Sequence, residues 1–142
     1  MKNRSILFAM VLSIGLFSTA CDNDDDNEGE TLAPLEGKWN LTKVGTVVAG
    51  NEVLTDAPQN ESGCSKDYLE LKIDNTATVG DYDSDTTPCA LTTHSGIYSR
   101  SHNDLTTVID GTTLVEDIQN LTLTQLKLRD QSSGVITVYE RN

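Results

Sequence analysis

From residue 35 onward the sequence predicts one all-β domain, built as an antiparallel barrel or a β-sandwich. Three observations predict it. After Gly37 no apolar period of 3.6 residues is sustained. β-Branched residues recur in short runs that alternate apolar with polar. Turn-forming residues separate those runs at close intervals, so eight or nine short strands fit into residues 35–142.

The elements follow in order. Trp39, Leu41 and Lys43 alternate with Asn40, Thr42 and Val44 before Gly45. Leu69, Leu71 and Ile73 alternate with Glu70, Lys72 and Asp74, giving one buried and one wet face. Asp74-Asn75-Thr76 turns the chain into a strand over Ala77–Tyr82. Ile97–Arg100 leads through Ser101-His102-Asn103-Asp104 into Leu105–Ile109. Asp110-Gly111, a dipeptide suited to the positive φ of a tight hairpin, introduces Val115–Ile118. Gln119-Asn120 then breaks the chain. Leu121-Thr122-Leu123-Thr124 alternates cleanly, but Leu126 and Leu128 fall on the opposite parity, which predicts a bulge near Gln125. Gly134 closes the last hairpin before Val135–Glu140. Thr55–Gly63 and Asp81–Ala90, the latter with Pro88 and Cys89, read as polar connections.

The N-terminus has a different logic. Lys2 and Arg4 precede an uncharged, mostly apolar run, Ile6–Phe17, and then the small residues Ser18, Thr19 and Ala20. That order is an export signal over residues 1–20. Its apolar run is too short to span roughly 30 Å of hydrocarbon as a helix. Small residues leading into Cys21 resemble a lipobox, although Ser18 stands where Leu is usual. The resemblance implies that Cys21 is acylated and attaches the protein to a membrane. Without it, cleavage after Ala20 would leave a free thiol. Residues 22–30 carry six acids and no base, so residues 21–34 read as a self-repelling tether. Acids directly after the lipidated cysteine resemble the cell-surface export signal of Bacteroidetes lipoproteins. In enterobacteria an Asp there implies inner-membrane retention instead. Asp24, Asp26, Glu28 and Gly29 imitate the start of an EF-hand loop but lack its helices and final Glu.

Charge narrows the partners. The net charge is −12, and without Lys2 and Arg4 it becomes −14, of which the tether's six acids leave −8 on residues 31–142. An acidic domain argues against nucleic acid and anionic lipid surfaces as partners. Cys64 and Cys89 are the only cysteines beyond Cys21. Two cysteines in an exported domain most simply form a disulfide. They lack C-x-x-C spacing for redox work, and with two distant histidines they lack zinc-ligand spacing. His94 and His102 could meet across neighbouring strands but have no third ligand. Asp81, Asp83 and Asp85 alternate along one side as a solvated loop or a weak calcium site. No nucleophile elbow and no phosphate loop is present. The expectation is therefore no catalytic residue, no metal and no cofactor, in a protein that is not an enzyme.

Three features together resemble the lipocalin-like lipoprotein domains of Bacteroidetes. Gly37-Lys38-Trp39 matches the G-x-W of a first lipocalin strand. CSKDYLELKIDNTATV, from Cys64, resembles the family's cysteine, acidic-aromatic strand and turn. The end of the chain, from Gly96-Ile97-Tyr98 to Val138-Tyr139-Glu140-Arg141-Asn142, resembles its closing strands. Tyr98 departs from the Trp frequent at that place. The resemblance implies an up-and-down eight-stranded barrel, with a sandwich as the alternative. It also implies that Arg141 packs across Trp39 to close the floor. Otherwise Trp39 is plain core and Arg141 a solvated terminus.

An eight-stranded barrel either fills with its own side chains or holds one small ligand. Inward positions by alternation are Leu69, Leu71, Ile73, Leu105, Ile109, Leu121 and Leu123, and the same alternation describes a packed interior. The expected function is a lipid-anchored outer-membrane lipoprotein, on the cell surface or the periplasmic face, binding a small apolar molecule. The rival is a solid barrel that meets another envelope protein through its loops.

Overall fold

The computed structural model describes residues 33–58, 63–83 and 89–141. The leader, Cys21, the tether as far as residue 32 and Asp85 lie outside them, whereas Ala33 and Pro34, expected at the end of the tether, belong to the folded domain: Ala33 is buried and the Pro34 carbonyl accepts from Arg141. Nine strands and no helix occur among the described residues: β1 (Gly37–Val48), β2 (Asn51–Asp56), β3 (Tyr68–Leu71), β4 (Thr76–Asp83), β5 (Ala90–Ser101), β6 (Asp104–Ile109), β7 (Thr112–Leu121), β8 (Gln125–Asp130) and β9 (Ile136–Glu140).

From β3 to β9 each strand pairs antiparallel with the next, and β9 returns to β1 through Asn40↔Glu140 to Gly45↔Ile136. The sheet is thus a closed barrel rather than a sandwich. Closure removes the free edges that a flat sheet of this length would present. The other edge of β1 carries two partners, β2 along Lys43–Val48 and β3 along Gly37–Asn40. β2 and β3 therefore act as one broken stave, and eight positions surround the axis. Asp67 stitches the break. Its main-chain carbonyl accepts the Leu41 N–H at 2.7 Å. Its carboxylate accepts the Tyr82 N–H at 2.7 Å, replacing a ladder bond with a side chain. The Cys64–Cys89 disulfide ties the β2–β3 connection to the start of β5. Closing a loop of that size stabilises by about 3.5 kcal/mol in the chain-entropy model.

Local chemistry sets the turns. Asp110 and Gly111 take φ of 51° and 78°, the two positive values a type I′ hairpin needs. Asp74 Oδ1 accepts from both the N–H and the hydroxyl of Thr76, at 3.0 and 2.6 Å, fixing the β3–β4 turn.

Several expectations shift. β2 occupies residues partly read as loop, because Thr55 and Asp56 continue the pairing with β1. β4 and β5 run through Asp81–Asp83 and Ala90–Leu91, extending a hairpin expected to end sooner. The bulge lies at Gln119, between Ile118 and Asn120, and not near Gln125. Of the run Leu121–Thr124 only Leu121 is strand, as the end of β7, because the Thr122 hydroxyl accepts the Gln125 N–H at 2.9 Å and folds Thr122–Thr124 into the β7–β8 turn.

At the end of the barrel where that turn lies, the interior is solid. Trp39, Leu71, Leu105, Leu126 and Leu128 are fully buried there, with Leu35 and Tyr98 packed beside them. The Trp39 indole N–H donates to the Leu35 carbonyl at 2.8 Å. The Arg141 guanidinium lies over the indole, 3.9 Å from its centroid. It also donates to the carbonyls of Leu123, Glu36 and Pro34 at 2.7, 2.8 and 2.6 Å. Gly37 explains itself here. Its φ is 135°, and a Cβ would stand 2.8 Å from Arg141 Nη1.

Replacing Arg141 by Ala removes the cation over the indole and three backbone tethers. Stability should fall by about 2 kcal/mol, read as a lower urea midpoint at unchanged slope. Arg141→Lys should recover less than half of that loss, because an ammonium cannot bridge three carbonyls in one plane.

Candidate ligand cavity

The opposite end is hollow. A cavity of about 510 Å³ opens where the β6–β7 and β8–β9 hairpins turn. Its walls are residues of seven strands, β3 to β9, among them Leu69, Val79, Ile109, Leu114 and Tyr139, with Val135 of the β8–β9 turn at the mouth. The volume falls in the range of small-molecule sites, roughly 300–1,000 Å³. The alternation that puts Leu71 and Leu105 in the solid floor puts Leu69 and Ile109, two positions along each strand, in the cavity wall.

Polar groups also stand in this chamber. Glu116, on β7, is only 7% exposed, and its carboxyl makes no hydrogen bond or ion pair among the described residues. Burial, with the Asp130 charge as a second cause, raises its pKa from 4.5 to about 7. Thr137 Oγ1, on β9, is buried without a hydrogen-bond partner at normal geometry. Beside them the Tyr139 phenol is pushed up by burial and by the Glu116 charge, against the pull of its contact with the Thr137 side chain.

Asp130 also lines the cavity, but its oxygens are satisfied. They accept from the N–H groups of Ser132 and Ser133 and from both hydroxyls, at 2.7 to 3.2 Å. Those bonds hold its pKa down at about 2, so it stays ionised. His94, on β5, sits at the cavity wall with its ring against the carboxylate of Asp110. His102 lies beyond the far end of that strand, in the β5–β6 turn at the floor end, so the two histidines do not meet. No three metal-ligating side chains come together among the described residues.

Of the seven inward positions expected from alternation, Leu69 and Ile109 line the cavity. Leu71 and Leu105 are buried in the floor beneath it, and Leu121 packs against that floor. Ile73 and Leu123 are not inside at all, being 90% and 62% exposed. β3 stops at Leu71 and β7 at Leu121, so each of these residues falls in a turn where the alternation no longer applies. Glu116, Thr137 and Tyr139 were missed. Counting back by two from Ile118 puts Glu116 inside, but a carboxylate reads as a solvated position.

The model of the "Lipocalin-like domain" family matches residues 35–128. Among solved structures, the chain is similar to a lipocalin-like protein from Bacteroides uniformis, with a TM-score of 0.58 at 13% identity. That match covers 76% of this chain and 98% of the other. It is also similar to an uncharacterized protein from Bacteroides eggerthii, with a TM-score of 0.55 at 10% identity, covering 77% and 100%. At such identities the likeness concerns the fold. Comparison with curated proteins yields no match.

The folded-state pKa of Glu116 lies above its unfolded value, so the native state keeps a proton that the unfolded chain releases. Its contribution is complete below pH 4.5 and is lost as pH rises toward 7, by up to about 3 kcal/mol. Asp130 titrates below that window. Glu116→Gln should flatten the stability profile between pH 4.5 and 7.5 in urea titrations, and should leave the acid limb below pH 4 in place.

Proposed function

Since the chain belongs to the lipocalin-like domain family, we propose that it is a lipid-anchored envelope protein that binds one small, largely apolar molecule in its barrel mouth. The observation that carries this reading is the cavity. It is open to solvent at one end, closed by the Trp39–Arg141 floor at the other, and presents a mainly apolar surface with polar groups set into it. The reading involves no catalysis and no cofactor.

The anchor rests on the sequence: a charged start, an apolar run, small residues and then Cys21. Two or more acyl chains on that cysteine would hold the protein stably, since one chain binds only marginally. The acidic residues after it favour the outer membrane, with the barrel held off the bilayer on the cell surface or the periplasmic face. A second reading, an envelope-protein partner, draws on Val47, Val48 and Val53, which are exposed together at the β1–β2 turn. A specific crosslinked partner lost on replacing these valines by Ser would favour it.

Two measurements test the main reading. A neutral naphthylamine dye, N-phenyl-1-naphthylamine, should bind one to one with micromolar affinity. Leu114→Trp, which places a large ring at the cavity mouth, should weaken it at least tenfold at unchanged melting temperature. Separately, Cys21→Ala should abolish metabolic labelling by palmitate and release the protein from its lipoprotein processing route. Labelling that persists would refute the anchor.

A further inference from the structure

The character of the polar end of the ligand is readable from the cavity, given that the barrel binds a ligand as proposed above. Four titratable side chains line it: Glu116 on β7, Asp130 on β8, His94 on β5 and Tyr139 on β9. No lysine or arginine does. On β8, Lys127 and Arg129 have the parity opposite to the inward Leu126 and Leu128, and Lys127 is held by Glu52 of β2. At the rim, Asp110 adds a third carboxylate, against His94.

Of these groups, Glu116 is the acid with no hydrogen-bond or ion-pair partner among the described residues, and the Thr137 hydroxyl, which meets the Tyr139 phenol, lines the same chamber. Buried polar groups in folded proteins are nearly always hydrogen-bonded, so a carboxyl left without a partner at the wall of a chamber points to an occupant that satisfies it. An anionic head such as a fatty carboxylate would meet Glu116 and the ionised Asp130 with no lysine or arginine to offset them. A neutral alcohol could bond to Glu116 but would leave the Asp130 field unanswered. A protonated amine answers all three. It donates to the Glu116 carboxylate and to the Thr137 hydroxyl oxygen, and it faces Asp130.

We propose that the cavity selects apolar molecules bearing a protonated amine, with the Glu116 carboxylate as the specificity-determining group and Thr137 as a second acceptor. The cation lies where the charge of Glu116 is least solvated, so the attraction is stronger there than at the surface. Binding draws Glu116 into its ionised form. Below pH 7 that requires releasing a proton, and amine affinity falls by as much as tenfold for each pH unit.

The test uses the chain from Asp22 onward, which retains the whole closed barrel, and three ten-carbon competitors of the naphthylamine dye: decylamine, decan-1-ol and decanoate. At pH 8 decylamine should displace the dye at a concentration at least tenfold lower than decanol, with decanoate weakest. Between pH 8 and pH 5 the advantage of decylamine over decanol should shrink at least tenfold. Glu116→Gln should bring decylamine to the level of decanol while changing decanol less than twofold. Decylamine no better than decanol, or an advantage that survives Glu116→Gln, overturns the amine assignment and leaves the ligand-binding barrel standing. Failure of the dye and all three competitors to bind overturns the barrel reading itself.

Discussion

Everything in this molecule depends on β1 having partners on both edges. β9 takes one edge and β2 with β3 takes the other, so a strand near the start of the domain holds its end. Such a closure joins residues almost a full domain apart, and main-chain ladders alone do not specify which register it takes. The Arg141 guanidinium does more to specify it. It spans from the β7–β8 turn at Leu123 to the segment before β1 at Glu36 and Pro34, and lies over Trp39 at the same time. A slip of one residue would reverse the face on which Trp39 stands and leave the guanidinium without its ring.

That floor permits the chamber at the other end to be unfilled. A barrel of eight staves has just enough internal width to be packed throughout. Here the large side chains are concentrated at one end, with Trp39, Leu71, Leu105, Leu126 and Leu128 in contact. Toward the mouth smaller or polar residues, Val79, Thr107, Thr112, Glu116 and Thr137, are set among Leu69, Ile109, Leu114 and Tyr139. The buried carboxyl lowers stability near neutral pH, where an apolar residue of similar size would not. Local optimisation of the fold gives no reason for it, and sites of this kind are where function and stability diverge.

Much of the architecture was legible in the sequence because barrel strands carry their orientation in parity. The Asp74-Asn75 and Asp110-Gly111 turns and the final strand follow from short-range signals, whereas the floor beneath Trp39 was implied only by the family resemblance of Gly37-Lys38-Trp39. β2 was not legible, since its residues are mostly exposed and so show no buried face to alternate against. Leu121–Thr124 failed for the opposite reason. Its pattern imitates a strand, but one threonine hydroxyl captures two nearby N–H groups and turns the chain. The cavity was half legible. Leu69 and Ile109 could be placed by alternation, whereas the polar residues that give the chamber its character look like surface residues in a linear reading.

The broken stave has a consequence for how the fold can diversify. Between β2 and β3 the chain leaves the wall at Ala57 and rejoins it at Tyr68, and Asp67 carries the hydrogen bonds across the gap. Neither register of β1 depends on how many residues make that detour. Length and composition can therefore drift there without moving any inward-facing side chain, as they cannot in the tight hairpins elsewhere. The disulfide to Cys89 keeps such an insert fastened beside the barrel. The fold thus contains its own grafting point, where a new recognition loop can be acquired while the chamber behind it keeps its shape.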